Sequence, residues 1–316
     1  MKRVNPTIRP FLNSVVDYAG PFSIKTWRGK NARQYKAYIV VFVCHSTSAS
    51  HLELVTDYST DAFIAAYKRF VARREICATL SSDCGTNLIG TDKELRNLFS
   101  SSSKELEKLS TLLANDGTQW IFNLPSAPYF GGKWEATVKS VKHHLKRIVG
   151  NQLLTYEEIN TLLTQIEAVL NSRPLSPLSD DPDDLSALTP GHFLVGGAPT
   201  IIPKPMLNSV NSSRLSRWQL LRQMLNTFWS RWSKECLQRY HDVSKWQRPV
   251  PSLTKGSLVL VVDERYPPSK WLLGRIIDIH PGTDGHVRVV SVRTQTSVLR
   301  RPIVKLCPLP IDGTKF

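Results

Sequence analysis

A chain of 316 residues with 41% hydrophobic side chains has room for two or three domains with their own cores, and its composition excludes a wholly disordered polypeptide. The 41 Lys+Arg against 26 Asp+Glu leave a formal net charge of +15, which suits a polyanionic partner. No window is apolar and uninterrupted for about eighteen residues, and MKRVNPTIRPF contains no apolar leader segment, so neither membrane insertion nor secretion is expected.

In chain order, FLNSVVDYAG is β-rich and reads as a strand, with Asp17 near its end and Gly20-Pro21 closing it. YKAYIVVFVCH and HLELVTDYS follow closely, the spacing of an antiparallel meander. Ser59 or Thr60 can then cap a helix with Phe63, Ile64, Tyr67, Phe70 and Val71 at helical spacing. A short strand in CATLSSDCGTNLIG ends at Asp83 before a glycine turn. Helices near 91–99 and in SSSKELEKLSTLLANDG come next, and then a strand in TQWIFNL. PSAPYFGG is turn chemistry. Beyond it Trp134, Val138, Val141, Leu145 and Ile148 mark one buried helix face, and Glu135, Lys139, Lys142 and Lys146 share the neighbouring face.

Thr155 and Glu158 form a capping box before Ile159, Leu162, Leu163, Ile166, Val169 and Leu170, apolar positions that complete a core or form half of a subunit interface. SDDPDDLSALTPG reads as an acidic, solvated surface loop. Between Arg214 and Trp246, Trp218, Leu221, Leu225, Phe228, Trp229, Trp232 and Leu237 make a stripe among arginines, either a packed helix face or a platform for stacking on bases. From Lys255 the runs LVLVVDE, WLLGRIIDIHP, HVRVVSVRT and SVLRRPIVKLCPL give four or five short strands. Charge is segregated along the chain: net +9 over residues 1–150, −5 over 151–210 and +11 over 211–316. The five cysteines are odd in number and widely spaced, which argues against a disulfide framework, and no C-x-x-C or paired histidines supply a zinc site.

Three acidic residues stand in settings that point to chemistry. An Asp beside a turn, such as Asp17 or Asp83, often only caps its loop, and Glu135 with Lys139 can be a solvated helix pair. Brought together, three carboxylates would repel one another unless cations neutralised them, and magnesium suits such a site. With their flanks, Asp17, Asp83 and Glu135 resemble the acidic triad of retroelement integrases. The wider wording resembles the integrase of BEL/Pao-type LTR retrotransposons: VDYAGPF, SDCGTN, FGGKWEATVKSVKHHLKR, LTYEE, TLLTQIEAVLNSRPL, LTPGHFLVG, FWSRW and KGSLVLVVDE, over nearly the whole chain. Three features depart from the family. The gap of 51 residues between Asp83 and Glu135 exceeds the familiar retroviral one and fits an inserted helix; Cys84 stands where Asn is usual, and Tyr129 where His is usual.

The resemblance implies an α/β architecture: a ribonuclease H-like catalytic core, a mixed five-stranded sheet with helices, over 1–205; a helical linker over 206–250; and a small SH3-like β-barrel that binds DNA over 251–316. It implies a polynucleotidyl transferase, a DNA integrase that trims the 3′ ends of element DNA and joins them to target DNA. Asp17, Asp83 and Glu135 would be both catalytic residues and ligands of two Mg²⁺ (or Mn²⁺) ions. Lys139, Lys142, Lys146, Arg275, Arg300 and Arg301 would hold DNA phosphates. Implied partners are element ends and target DNA, a homo-oligomer on that DNA, and chromatin through the barrel, where Trp271 and Tyr266 are candidate cage aromatics. The place of action would be the nucleus, reached from a cytoplasmic particle. The zinc module of a complete integrase is missing, so a piece of a longer polyprotein is expected. A catalytically silent or domesticated DNA-binding fragment and a ribonuclease H-type nuclease are the alternative readings.

Overall fold

The computed structural model describes residues 9–83, 111–115, 117–123, 132–150, 152–202, 215–245, 253–263, 265–284 and 286–309. The expectations for Cys84, Tyr129 and the helix near 91–99 lie outside these residues. By contact the chain divides into two units between Glu167 and Ala168. In the second unit a hairpin and the long helix preceding the C-terminal strands share a core with them.

In the first unit, β1 (Asn13–Lys25), β2 (Gln34–Cys44) and β3 (Ser50–Val55) form the antiparallel meander. β4 (Thr79–Asp83) and β5 (Gln119–Asn123) extend it in parallel on the other side of β1, in the order β3-β2-β1-β4-β5. A mixed sheet flanked by helices makes this an α/β unit. Gly20-Pro21 does not close β1 as the sequence reading expected. Instead the register against β2 shifts between Ala19 and Phe22, and pairing resumes through Lys25. Gly20 takes φ 135° and Pro21 has no N–H to give, so the ladder is interrupted by a bulge and survives it.

The two faces of the sheet carry different helices. α1 (Thr60–Arg74) starts at Ser59, whose Oγ accepts from the Ala62 N–H at 3.1 Å. It lays Phe63, Tyr67 and Phe70 on one face, where Phe70 stacks on Phe42 with centroids 4.2 Å apart and meets Phe11 edge-on at 5.3 Å. α2 (Gly132–Val149) lies against β1. Before α3 (Tyr156–Asn171), β6 (Leu154–Thr155) pairs with the far end of β1. The capping box is present: Thr155 N–H donates to Glu158 Oε2 at 2.9 Å, and Glu158 N–H to Thr155 Oγ1 at 3.4 Å. Ile159, Leu162, Leu163, Ile166, Val169 and Leu170 are all buried, so this stripe is core within the chain.

A buried ionic network, not foreseen from the sequence, ties β3 to α1 and α3. His51 bridges two carboxylates, with Nε2 3.0 Å from Glu53 Oε1 and Nδ1 3.2 Å from Glu167 Oε2. Arg69 and Arg73 pair with Glu53, Arg74 pairs with Glu167, and Leu52 N–H donates to Glu167 at 3.0 Å. Burial alone would pull the His51 pKa down, but its bonds to Glu167 and Glu53 outweigh that and raise it. Burial would likewise push the two glutamates up, yet His51 and the arginines hold both below the ordinary carboxylate range.

The signs fix a pH window. The raised His51 contributes stability that is complete below about pH 6.5 and lost as pH climbs through its folded value. The depressed glutamates contribute stability present above about pH 4.3 and lost as pH falls through theirs. Thermal unfolding across pH should therefore show this network's maximum between those limits. Glu167→Gln should cost about 2–3 kcal/mol at pH 6, since it leaves Arg74 without its anion and His51 with Glu53 alone, and should flatten the loss on the alkaline side.

The second unit opens with a small hairpin, β7 (Ser176–Pro177) and β8 (Ala187–Leu188), and α4 (Pro190–Val195), whose cap Thr189 meets His192 Nδ1. α5 (Arg217–Lys245) buries Leu221, Leu225, Phe228, Trp229, Trp232 and Leu237, leaving only Trp218 of the stripe 54% exposed. The stripe is therefore mainly a packed face. Five strands follow among the described residues: β9 (Leu258–Val261), β10 (Leu273–Pro281), β11 (Val287–Thr294), β12 (Val298–Pro302) and β13 (Leu306–Pro308). They pair antiparallel in the order β12-β11-β10-β9-β13. The run SVLRRPIVKLCPL is thus two strands, broken by a 3₁₀ turn at Ile303–Lys305 that carries the chain from one sheet edge to the other. Cys44, Cys77, Cys236 and Cys307 are free thiols, and burial pushes Cys307 up to about 12, so it packs as an apolar group. Gly274 marks a close approach of β10 and β11: a Cβ there would lie 2.4 Å from Val292 Cγ1 and 2.9 Å from the Arg293 carbonyl. Gly274→Ala should destabilise this unit by about 1–3 kcal/mol, read as a lower unfolding midpoint.

Candidate active site

Asp17 is the one charged residue along the described interior of β1, between buried Val16 and buried Tyr18. Side chains alternate across a strand, and the Tyr18 ring meets Phe63 of α1, so Asp17 faces the opposite side, toward α2. A carboxylate at such a place is costly unless its oxygens are satisfied. Tyr18 N–H donates to Oδ1 at 2.7 Å, and Lys142 Nζ donates to Oδ2 at 2.8 Å from α2. The contact ties the helix to β1.

The parallel ladder sets the second acid. Val15 pairs with Ser81 and Val16 with Ser82, and one position further on each strand come Asp17 and Asp83. The backbone therefore brings these two residues, 66 positions apart in sequence, to adjacent places on neighbouring strands. Adjacent strands run about 4.8 Å apart, within the span of two carboxylates sharing ions. Glu135 is the fourth residue of α2, in its first turn, where the helix dipole favours an anion. It precedes Lys142 by two turns, about 10 Å along the helix axis. The side chains of Asp83 and Glu135 lie outside those described, so of the three expected ligands the structure details only Asp17. Among the described residues no group of three His, Cys, Asp or Glu side chains is placed to hold a metal ion.

The expected phosphate-gripping lysines occupy different positions. Lys139 and Lys146 are exposed on α2, whereas Lys142 is half-buried at Asp17. In the second unit, Arg300 is exposed and Arg301 half-buried on β12, an edge strand, their side chains alternating across it. Arg275 does not project freely. Its Nη1 donates to the Gly256 carbonyl at 2.8 Å, and its Nη2 to the carbonyls of Asp181 (3.0 Å) and Asp184 (2.8 Å). The acidic loop is exposed over residues 179–183, as expected of a solvated loop, while two of its backbone carbonyls accept from Arg275. Trp271 meets Trp229 edge-on at 4.7 Å and donates from Nε1 to Ser172 Oγ at 3.2 Å; it lines one recess with Trp229, Tyr266, Lys234 and Asp263.

Sequence reading singled out the three acids as candidates and missed three ionic features: the His51 network, the Lys142–Asp17 pair and the Arg275 contacts to the acidic loop. The alternation His-Leu-Glu in β3 and the i, i+4 spacing of Arg69 and Arg73 were legible signals of a polar stripe under a helix. No local signal joined Lys142 to Asp17 or Arg275 to the acidic loop.

Residues 216–309, less than half of the chain, match a family described as Family of unknown function (DUF5641). No curated protein matches. Among solved structures, the chain is similar to a chain of the cryoEM structure of the simian T-cell lymphotropic virus intasome in complex with PP2A regulatory subunit B56 gamma. The identity is 11%, the match covers 98% of this chain and 85% of that one, and the TM-score is 0.36, too slight a likeness to support a functional inference. No helix among the described residues is long and apolar enough to cross a membrane.

A double-mutant cycle of Asp17→Asn and Lys142→Met should give a coupling of about 1–2 kcal/mol in chemical denaturation, between the values for exposed and buried pairs. The Asn keeps the acceptor for Tyr18 N–H, so the cycle isolates the ammonium contact.

Proposed function

We propose that this chain is a retroelement integrase, a polynucleotidyl transferase of the BEL/Pao retrotransposon type. The observation that carries the reading is the β1–β4 register, which puts Asp17 and Asp83 in adjacent places while the Lys142–Asp17 contact seats the Glu135 helix over β1. The sheet order β3-β2-β1-β4-β5 supports a ribonuclease H-like core, and five antiparallel strands with exposed arginines support a small SH3-like DNA-binding barrel.

The donor chemistry fits hard divalent ions. All three residues offer carboxylate oxygens, and at Asp17 a cation already satisfies one of them. Asp17, Asp83 and Glu135 would hold two Mg²⁺ or Mn²⁺ ions, which when bound supply charge neutralisation for phosphoryl transfer to water or to a 3′-hydroxyl. The chain's own contribution is placement. The β1–β4 ladder sets the backbone positions of Asp17 and Asp83 side by side, and Lys142 pairs with Asp17. Lys139 and Lys146, exposed on the same helix, grip phosphates of the DNA end, and Arg300 on the edge strand adds sequence-independent grip. The substrates are element ends and target DNA, handled by an oligomer of this chain in the nucleus after passage as a cytoplasmic particle. The Trp271–Tyr266 recess is the place for a chromatin contact.

An oligonucleotide strand-transfer assay in Mg²⁺ and in Mn²⁺ tests the reading. Asp17→Asn, Asp83→Asn and Glu135→Gln should each lower turnover by about 10³-fold or more while duplex binding stays within about threefold. Turnover by Glu135→Gln at the wild-type level overturns the assignment. A second reading, a DNA-binding protein without catalysis, is favoured by the ammonium standing on Asp17; it expects no transfer products from the wild type and no stabilisation by Mn²⁺.

A further inference from the structure

The acidic connector is the least basic part of the chain, and the structure gives part of it a defined seat. Residues 179–184, SDDPDD, form the tip of the β7–β8 hairpin, closed by Leu178 N–H to the Ser186 carbonyl (3.1 Å) and Leu175 N–H to the Leu188 carbonyl (2.7 Å). The base of the hairpin belongs to the core of the C-terminal strands: Ala187 and Leu185 pack with Leu258, Leu260, Cys307 and Leu309. The tip is ordered internally. Asp184 accepts from Ser179 Oγ at 2.8 Å and from Ser186 N–H at 2.7 Å, and Asp183 N–H donates to Asp181 Oδ1 at 2.9 Å.

Two arginines of the strands meet this tip. Arg275 on β10 donates to the carbonyls of Asp181 and Asp184, and Arg293 on β11 donates to the Pro182 carbonyl at 3.1 Å and to Asp183 Oδ1 at 2.7 Å. Arg275 and Arg293 are cross-strand partners in the ladder, so the tip covers one basic pair. Guanidinium donors that take carbonyl and carboxylate oxygens are those that take phosphate oxygens. Asp180, Asp181 and Asp183 remain exposed and extend the negative field beyond the contact. With Arg293 41% and Asp183 82% exposed, the ion pair is screened by solvent and weak enough to exchange.

We infer that the 179–184 tip acts as a built-in polyanion mimic that masks the Arg275–Arg293 pair and competes with nucleic-acid phosphates for it. The inference rests on the reading of the C-terminal strands as a phosphate-gripping surface. A duplex that displaces the tip gains both guanidinium forks, so the mask sets a threshold that short or weakly held DNA does not pass.

The test is a two-by-two comparison of the full chain by fluorescence anisotropy with a short duplex at fixed salt. One axis neutralises the tip by Asp180→Asn, Asp181→Asn, Asp183→Asn and Asp184→Asn, which keeps an Oδ1 acceptor at each position and so keeps the turn. The other replaces the arginines by Arg275→Ala and Arg293→Ala. Neutralising the tip should tighten binding about five- to tenfold with the arginines present and less than about twofold without them. Asp183→Asn alone, which leaves Arg293 a neutral acceptor in place of its charged partner, should tighten binding about twofold. An equal gain in both arginine backgrounds reduces the effect to net charge and overturns the mask. No gain on a chain that binds duplex also overturns it, and leaves the DNA-binding reading in place. No binding by any of the chains overturns both.

Discussion

A carboxylate in the middle of a central strand is the constraint on which the first unit turns. Asp17 interrupts a row of buried apolar residues on β1, and the fold keeps it there by giving both oxygens a donor, one from the neighbouring backbone and one from Lys142. The ammonium comes from another element, so satisfying the acid also seats α2 on the sheet. An apolar residue at this position would pack with no such requirement. A charge here, next to the place where β4 ends in a second acid, is what makes this face of the sheet the one on which chemistry is proposed.

The opposite face shows how the same problem is solved when no chemistry is proposed. Phe11, Phe42, Phe63 and Phe70 fill it, and at its edge His51, Glu53 and Glu167 meet three arginines of α1. Every charge in that cluster has an opposite charge and a hydrogen bond, which is the condition for burying ions at tolerable cost. The cluster locks the outer strand of the meander to two helices. Asp17, by contrast, meets a half-buried lysine, whose side chain is 27% exposed and could give way to an incoming cation.

In the second unit, packing and charge act at different depths. Trp229, Trp232 and Trp271 interlock edge-on, and the hairpin base joins the core of the strands. At the surface, the acidic tip and the basic strand pair meet through screened contacts that can exchange. The acidic tip at residues 179–184, part of a segment of net −5, thus lies against the basic strand pair.

Much of this was fixed by local patterns. The meander, the Ser59 and Thr155 caps, the apolar stripes of α1, α3 and α5 and the short C-terminal strands follow from periodicity and capping chemistry, which act over a few residues. The three acids were visible as residues in unusual settings. Only the tertiary structure decided that β1 runs on past Gly20-Pro21, since whether a bulge ends a strand depends on the partner strand resuming its ladder. The same holds for the β1–β4 register, the Lys142–Asp17 contact and the seat of the acidic tip. Each joins residues far apart in the chain, and such pairings are set by which surfaces pack together, a choice that leaves no mark in the spacing of neighbours.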